Sequence, residues 1–87
     1  NKFVKIIYTK HAIKKFSDLL MLGIRVTRTL IKGAVDAPKY ESNENGNKIA
    51  AVDFDDEHNL RVVHKQEKSD IIIITFYVYR KGRYGEY

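Results

Sequence analysis

Three side chains that are far apart in the sequence have groups that can each contact a phosphate: His11, Arg61 and Thr75. His11 follows a predicted strand at the start of a predicted helix, where free backbone N–H groups attract phosphate and the positive helix end favours a neutral imidazole. Such an imidazole suits a general base near neutral pH. The planar guanidinium of Arg61 can bind a phosphate, and the Thr75 hydroxyl can donate a hydrogen bond to it.

Each of these residues also has an ordinary structural explanation. His11 can be a surface histidine near a helix cap, and Thr75 can be a β-branched residue that suits a strand. Arg61 can pair across strands with Asp53 or Glu67, because an arginine on a partly covered sheet face loses hydration. The residues alone leave both interpretations open at all three positions.

The alternation of side chains along two predicted strands brings most of these groups to one face of a sheet. The apolar set, which we expect beneath the helices, consists of Ile72, Ile74, Phe76 and Val78 with Leu60 and Val62. The opposite set consists of Ile73, Thr75, Tyr77 and Tyr79 with Arg61, Val63 and Lys65. A cation, a hydroxyl and aromatic rings on one surface can bind RNA, with the tyrosines stacking on bases. Packing within the sheet is the alternative role for these tyrosines.

The composition is that of one small globular domain, and we expect residues 1–87 to form it. Hydrophobic residues make up 44% of the 87 positions, and cysteine is absent, which excludes a disulfide scaffold and thiolate metal sites. No stretch resembles a signal peptide or is apolar enough for a membrane span. We therefore expect a cytoplasmic protein without a membrane partner.

The charge is unevenly distributed along the chain. The net charge is +5, with +7 in residues 1–40, −5 in residues 41–59 and +3 in residues 60–87. Such segregation predicts a basic face, which favours a polyanion such as RNA as the partner. The lysines expected to contact nucleic acid are Lys10, Lys14, Lys15 and Lys65. A lysine-rich surface that only keeps a small protein soluble is the alternative.

The hydrophobic pattern predicts an α+β fold in the order β-α-α-β-β-β, with one further short strand, in which two N-terminal helices pack on one face of an antiparallel sheet. The predicted strands are at residues 3–8, 39–42, 48–54, 60–65 and 71–79. Thr9 and Thr27 are the predicted N-caps of helices that end near Gly23 and Pro38. The unbroken apolar run of residues 71–79 predicts a central strand, and Asn45-Gly46 predicts a hairpin turn.

Two finer expectations concern the helices and the tail. The core-facing stripe predicted for the first helix is Ala12, Ile13, Phe16, Leu19 and Leu20. We expect residues 80–87 to form a flexible tail.

The remaining titratable residues indicate no further chemistry. We expect His64 at the edge of the core with its hydrogen bonds satisfied. The acidic segment from Asp53 to His58 lacks the glycine and the spacing of a calcium loop, so we interpret it as a solvated turn. No Walker loop, dinucleotide-binding glycine motif or His-Glu-x-x-His is present, and we expect neither a cofactor nor a metal.

The order of several short motifs resembles that of one family. The motifs are Tyr8-Thr9-Lys10-His11-Ala12, Gly23-Ile24, Pro38, Leu60-Arg61-Val62-Val63 and Ile74-Thr75-Phe76-Tyr77. Together, over almost the whole chain, they resemble the domain-of-unknown-function family 4258, which is similar to the BrnT and RelE-like toxins. The resemblance implies a RelE/BrnT-like fold and a site formed by His11, Arg61 and Thr75.

The resemblance also implies a toxin-type, metal-independent endoribonuclease that acts by 2′-hydroxyl attack and leaves a cyclic phosphate, with RNA as substrate and a small antitoxin protein as partner. His11 would act as base or acid, Arg61 would stabilise the developing charge, and Thr75 and Tyr77 would position the phosphate. The family usually carries an arginine on the first helix and another before Gly-Ile, where this chain has Lys14-Lys15 and Met21-Leu22. That departure favours the alternative, a non-catalytic module of the same fold that binds nucleic acid or protein.

Overall fold

The computed structural model describes residues 5–86, which fold into two helices and five strands. In chain order the elements are β1 (Ile6–Tyr8), α1 (Lys10–Met21), α2 (Arg28–Asp36), β2 (Tyr40–Glu44), β3 (Asn47–Asp53), β4 (His58–Glu67) and β5 (Asp70–Arg80). This order confirms the predicted one, and β5 is an interior strand, as its apolar run predicted. Positions 3 and 4 of the first predicted strand lie outside the described residues.

The five strands form one mixed sheet in the order β1-β5-β4-β3-β2. The pairs β2–β3, β3–β4 and β4–β5 are antiparallel, but β1 runs parallel to β5, with Tyr8 opposite Ile73. The expectation of a wholly antiparallel sheet is therefore wrong at this edge. A parallel pair needs a long connection, and here everything from α1 to β4 lies between the two strands.

Both helices begin at the threonines that the sequence indicated. Thr9 Oγ1 accepts a hydrogen bond from the Ala12 N–H (3.1 Å), and Thr27 Oγ1 accepts one from the Leu30 N–H (3.1 Å). Each bond satisfies one of the backbone donors that a helix start leaves free. Gly23, at φ +82°, follows α1 in the left-handed conformation that ends many helices. Within residues 5–86, no helix is long and apolar enough to cross a membrane.

The core lies between the helices and one side of the sheet. Its fully or almost fully buried members are Ala12, Val26, Ile31, Ala34, Leu60, Val62, Ile73 and Phe76. The rings of Phe16 and Phe76, whose centroids are 4.7 Å apart, connect α1 to β5. We call the side of the sheet that carries Leu60, Val62 and Phe76 the helix-covered face.

A β-bulge in β5 changes which isoleucines reach this core. Val63 pairs with Thr75 and His64 pairs with Ile73, so the residue between Ile73 and Thr75 has no partner on β4. The extra residue shifts the alternation by one. Ile73, which strict alternation assigned to the opposite face, is therefore fully buried in the core. The predicted core positions of Ile72 and Ile74 are taken by Ile71 and Ile73, which corrects that prediction.

Part of the apolar stripe predicted for α1 lies in solvent. Ala12, Phe16 and Leu19 contact the core as predicted. Ile13 and Leu20, however, are about half exposed, at 49% and 55%. The reason is that α1 packs on β5 and on the short edge strand β1, which leaves its outer flank beyond the sheet without cover.

Candidate functional site

Two of the residues predicted to share a site, His11 and Thr75, are in direct contact. His11 is in the first turn of α1, and Thr75 follows the bulge in β5. His11 Nε2 and Thr75 Oγ1 are 3.1 Å apart, a hydrogen bond in which the tautomer of the imidazole decides which group donates. His11 is exposed and Thr75 is half-buried, so a ligand can reach both.

Thr9 holds the start of α1 against the bulge. Its N–H donates to the Ile73 carbonyl (3.1 Å), and its hydroxyl donates to the Ile74 carbonyl (2.9 Å). The same hydroxyl oxygen caps the helix. The position of His11 relative to Thr75 is thus fixed by one residue that bonds to both elements.

Arg61 lies on the same side of the sheet as Thr75, away from the core. It pairs with Tyr77 in the β4–β5 register, while Val63 pairs with Thr75, so Arg61 and Thr75 are diagonal neighbours. Diagonal cross-strand neighbours are about 7–8 Å apart at the backbone, which is within reach of a long side chain. The structure therefore brings His11 and Thr75 together and places Arg61 beside them on one face.

Arg61 is buried without a partner for its charge. It is only 7% exposed. The carboxylates considered as its partners, Asp53 and Glu67, pair with lysines instead. Among residues 5–86 Arg61 forms no ion pair, and its Nε is sealed from solvent without a hydrogen bond. Buried charges are normally paired, so this environment favours an anion that the chain itself does not provide.

The C-terminal tail, residues 81–86, covers Arg61. The Tyr84 ring stacks on the guanidinium, with Arg61 Cζ 3.9 Å from the ring centroid, and it meets the Tyr79 ring at 4.9 Å. The Tyr79 hydroxyl donates to the Glu86 carboxylate, and Asn59 Nδ2 donates to the Glu86 carbonyl (3.3 Å). We call this side of the sheet the tail-covered face.

Sequence reasoning missed the contact between the tail and Arg61. The available signal was two glycines in a short segment, since Gly82 and Gly85 adopt φ values of +92° and +75° that other residues rarely tolerate. The turn that they form is closed by the Gly82 N–H, which donates to the Glu86 carbonyl (2.8 Å). The flexibility expected for residues 80–87 stays a prediction, and Tyr87 lies outside the described residues.

Two tyrosines on this face, Tyr77 and Tyr79, have raised pKa values. Burial raises the pKa of Tyr77, and the adjacent Tyr84 hydroxyl raises it further. Burial and the hydrogen bond to Glu86 raise the pKa of Tyr79 well above its usual range. Because Tyr79 is only 4% exposed, the base stacking predicted for it would require the tail to move.

The lysines predicted to contact nucleic acid are Lys10, Lys14, Lys15 and Lys65. Lys14 Nζ lies 3.0 Å from Asp18, and Lys65 Nζ lies 3.3 Å from Glu67. Both are surface pairs of small net energy, so a phosphate can compete with them. Lys10 and Lys15 form no ion pair with any residue from 5 to 86, which leaves their ammonium groups available.

The acidic segment before β4 is a turn closed by Asp55. Its Oδ1 accepts from the N–H groups of Glu57 (2.8 Å) and His58 (2.7 Å) and lies 2.9 Å from His58 Nδ1. The Glu57 N–H and the His58 side chain lower the pKa of Asp55. In the described part of the chain, no three His, Asp or Glu side chains are arranged to hold a metal ion.

A cleft on the helix-covered face was not predicted. It has a volume of about 420 Å³ and lies beside the end of α2, against β2, β3 and β4. His64 lines it, is only 8% exposed, and forms no hydrogen bond with any residue from 5 to 86. The expectation that its hydrogen bonds are satisfied stays a prediction, because no residue from 5 to 86 provides them. The signal in the sequence was a histidine two positions after Val62, on the apolar side of β4.

No family model, no curated protein and no solved structure matches this chain. A function therefore has to be inferred from the arrangement of its own side chains. Two arrangements are relevant to function. Arg61, which forms no ion pair with residues 5–86, lies beside the His11–Thr75 contact, and His64, which forms no hydrogen bond with them, lines the cleft.

Proposed function

We propose that this chain is an RNA-binding domain whose phosphate site lies between Arg61 and the His11–Thr75 pair. The observation that carries the proposal is the buried guanidinium of Arg61, which has a sealed Nε and no carboxylate partner within residues 5–86. Leaving such a charge unpaired is costly. An RNA phosphate would supply the partner through charge-assisted hydrogen bonds.

The start of α1 supports the same site. Backbone N–H groups in a first helical turn attract phosphate, and His11 and its neighbours belong to that turn. A phosphate between the two strands would accept hydrogen bonds from the Thr75 hydroxyl and from the guanidinium of Arg61. The uncompensated Lys10 and Lys15 on the same helix would contact neighbouring phosphates.

The aromatic groups around Arg61 favour a single-stranded ligand. Unpaired bases stack on exposed rings, whereas bases in a duplex are not accessible. Tyr84 now occupies the place beside Arg61 that a base would take, and it is 43% exposed. We propose that the tail leaves this place when RNA binds, since the contact of the partly exposed Tyr84 ring with Arg61 is worth only about 1–2 kcal/mol.

A second candidate function, metal-independent cleavage of the bound RNA, is favoured by the His11–Thr75 contact. Thr75 orients the imidazole, and His11 would take the proton from a 2′-hydroxyl. The resulting oxygen would attack the adjacent phosphorus, the 5′-oxygen would leave with a proton from water or a nearby lysine, and a 2′,3′-cyclic phosphate would remain. Arg61 would stabilise the negative charge that develops on the phosphate.

We also propose that the fold is of the RelE/BrnT kind, that the protein acts on cytoplasmic RNA, and that a small antitoxin-like protein is its partner. The element order β-α-α-β-β-β-β supports the first point. The exposed apolar residues at the end of α1, above all Met21 at 86% and Leu22 at 74%, offer a surface for such a partner.

The binding proposal is tested by measuring the affinity of the purified chain for a short single-stranded RNA at several salt concentrations. The logarithm of the affinity should fall linearly with the logarithm of the salt concentration, because phosphate contacts release counterions. The double variant Lys10→Ala/Lys15→Ala should flatten this slope by about one to two units. Lys32→Ala is the matched control, since Lys32 lies on α2 and pairs with Asp36.

Two results would contradict RNA binding at this site. One is the absence of binding even at low salt. The other is an equal change of slope in the double variant and in the Lys32→Ala control, because the contacts would then be nonspecific.

The cleavage proposal is tested by incubating the chain with structured, unstructured and ribosome-bound RNA in excess chelator, followed by end-group analysis. The products should carry 2′,3′-cyclic phosphate, and DNA should bind without being cut. His11→Ala should lower the cleavage rate by about 10²–10⁴-fold, the usual contribution of a positioned acid or base. Cleavage that survives His11→Ala combined with Arg61→Met would belong to a contaminant, and no cleavage of any RNA would leave binding as the function.

A further inference from the structure

The cleft on the helix-covered face is separate from the proposed RNA site. Its walls include Val35, Ala50 and Ile71, and its polar groups include Glu41, Lys48 and His64. By the β3–β4 register, Lys48 is opposite His64 and Ala50 is opposite Val62, so these side chains project to the helix-covered side. A volume of about 420 Å³ is in the range of small-molecule sites.

His64 is the feature that points to a ligand. All three histidines lie within residues 5–86. His11 bonds to Thr75 and His58 to Asp55, whereas His64 has no side-chain partner among these residues. Within the same residues, the sealed side-chain atoms that lack a partner are Asn59 Oδ1 and Arg61 Nε. The imidazole nitrogens of His64 are therefore not sealed, and the opening that reaches them is the cleft. A ligand in the cleft could therefore hydrogen-bond to the imidazole, whose carbon atoms are largely buried.

Two opposite charges stand at the same cleft without neutralising each other. Lys48 is directly opposite His64, and Glu41 is opposite Ala50, so Glu41 and Lys48 are diagonal neighbours on β2 and β3. Neither forms an ion pair or a side-chain hydrogen bond with another residue from 5 to 86. Their charges reach the imidazole, because Lys48 lowers and Glu41 raises the pKa of His64, although burial is the largest influence and lowers it.

We propose that this cleft binds a small zwitterion, a free α-amino acid with an apolar side chain. Lys48 would bind the carboxylate, Glu41 would bind the ammonium group, and His64 would hydrogen-bond to the polar end of the ligand. Val35, Ala50 and Ile71 would contact the side chain.

The paired charges explain the choice of a zwitterion. A simple anion would bring its charge close to the Glu41 carboxylate, and a simple cation would approach the Lys48 ammonium group. Each would be disfavoured by like-charge repulsion, which is how a site excludes the wrong ligand. His64 adds one donor and one acceptor when it is neutral.

The test is an NMR titration of the isotopically labelled full chain with L-leucine, N-acetyl-L-leucine and L-leucine methyl ester. At about 10 mM, a concentration that fills a millimolar site, L-leucine should shift the His64 ring and Ile71 methyl resonances. The acetylated and esterified compounds lack one charge each and should bind about 10-fold to 100-fold more weakly.

Variants that remove one charge complete the test. Glu41→Gln and Lys48→Met should each weaken L-leucine binding by a similar factor, and both residues are exposed enough for the chain to keep its fold. Glu44→Gln, on the same strand but on the other side of it, is the matched control and should bind L-leucine normally.

Three outcomes would overturn the proposal. The first is that L-leucine shifts neither resonance. The second is that N-acetyl-L-leucine or the methyl ester binds as tightly as L-leucine, which would make the site one for simple anions or cations. The third is that binding survives both Glu41→Gln and Lys48→Met.

Discussion

The two faces of the sheet are both buried near the middle of β4, but different parts of the chain cover them with different chemistry. On the helix-covered face, Leu60, Val62 and Phe76 are fully buried among apolar side chains. On the tail-covered face, Asn59 is fully buried and Arg61 almost so, beneath a short segment that contributes a tyrosine ring and a glutamate.

The difference concerns which buried groups are satisfied. An apolar face needs no hydrogen bonds, whereas each buried polar atom without a partner destabilises the folded chain. In the part of the chain that the structure describes, both sealed and unpartnered side-chain atoms, Asn59 Oδ1 and Arg61 Nε, lie on the tail-covered face. Around Leu60 and Val62 the helix-covered face therefore contributes stability, whereas around Asn59 and Arg61 the tail-covered face carries groups suited to a ligand.

The largest expected effect is a difference in the free energy of unfolding between a variant of the helix-covered core and a variant of the tail. Phe76→Ala should lower the free energy of unfolding by about 3–5 kcal/mol, because it removes a fully buried ring. Tyr84→Ala should lower it by only about 1 kcal/mol, since Tyr84 is partly exposed and contributes chiefly a cation–π contact. Urea unfolding measures both values. Equal losses in the two variants would show that the tail is as much a part of the folded core as the helices are.

Arg61→Met should act in opposite directions on binding and on folding. Loss of a charged hydrogen bond to phosphate should weaken RNA binding by about 1.5–3 kcal/mol. The free energy of unfolding should stay the same or rise, because an unpaired buried charge is replaced by an apolar side chain of similar length. A variant that binds RNA normally but unfolds more easily would assign Arg61 to structure rather than to the ligand.

Thr9→Ala should cost about 1 kcal/mol of unfolding free energy, the usual value of a helix N-cap. Because Thr9 also bonds to the Ile74 carbonyl, the variant should change the chemical shifts of the His11 imidazole as well. Thr27→Ala, which removes the N-cap of α2, is the control and should cost a similar amount without affecting His11. An unchanged His11 spectrum in Thr9→Ala would mean that the contact with Thr75 does not depend on this cap.

The smallest effect concerns His64, the polar exception on the helix-covered face. Burial lowers its pKa below the ordinary value of 6.5, so the unfolded chain binds the proton first as the pH falls. The stability that His64 contributes is complete above pH 6.5 and is lost as the pH falls from there through the lower pKa of the folded state. Because only one proton is involved, the free energy of unfolding should change only slightly with pH. The free energy of unfolding, measured at pH 5–7, should show this dependence on pH in the native chain and a weaker dependence in His64→Phe. An identical dependence in the two chains would contradict the prediction.

The parts of the fold that the sequence predicts are those with local signals. Thr9 and Thr27 precede amphipathic segments, and both cap helices. Asn45 and Gly46 form the predicted turn, with φ values of +54° and +82°. These features depend on a few neighbouring residues, so tertiary contacts cannot easily override them.

The parts that the sequence does not predict depend on distant contacts. A run of four isoleucines at 71–74 has no polar position to mark its two faces, so the bulge that moves Ile73 into the core leaves no trace in the pattern. A strand as short as β1 carries no signal for the direction of its partner. At the site, the alternation of side chains correctly predicts that Arg61 and Thr75 lie on the same face of the sheet. It does not predict that Tyr84 covers Arg61, because that contact depends on the turn formed by residues 81–86.

The parallel pairing of β1 with β5 has a consequence for synthesis. Among the strands that the structure describes, β1 is synthesised before β5, so a chain emerging from the ribosome displays β1 without this partner until β5 has also emerged. Until then Ile6, Tyr8 and the apolar side of α1 lack Ile73 and Phe76, the core residues that β5 contributes, and the apolar surface left exposed makes the nascent chain prone to aggregation. The sheet therefore cannot be completed until β5 has emerged, and a truncation before β5 deprives both β1 and β4 of their shared neighbour.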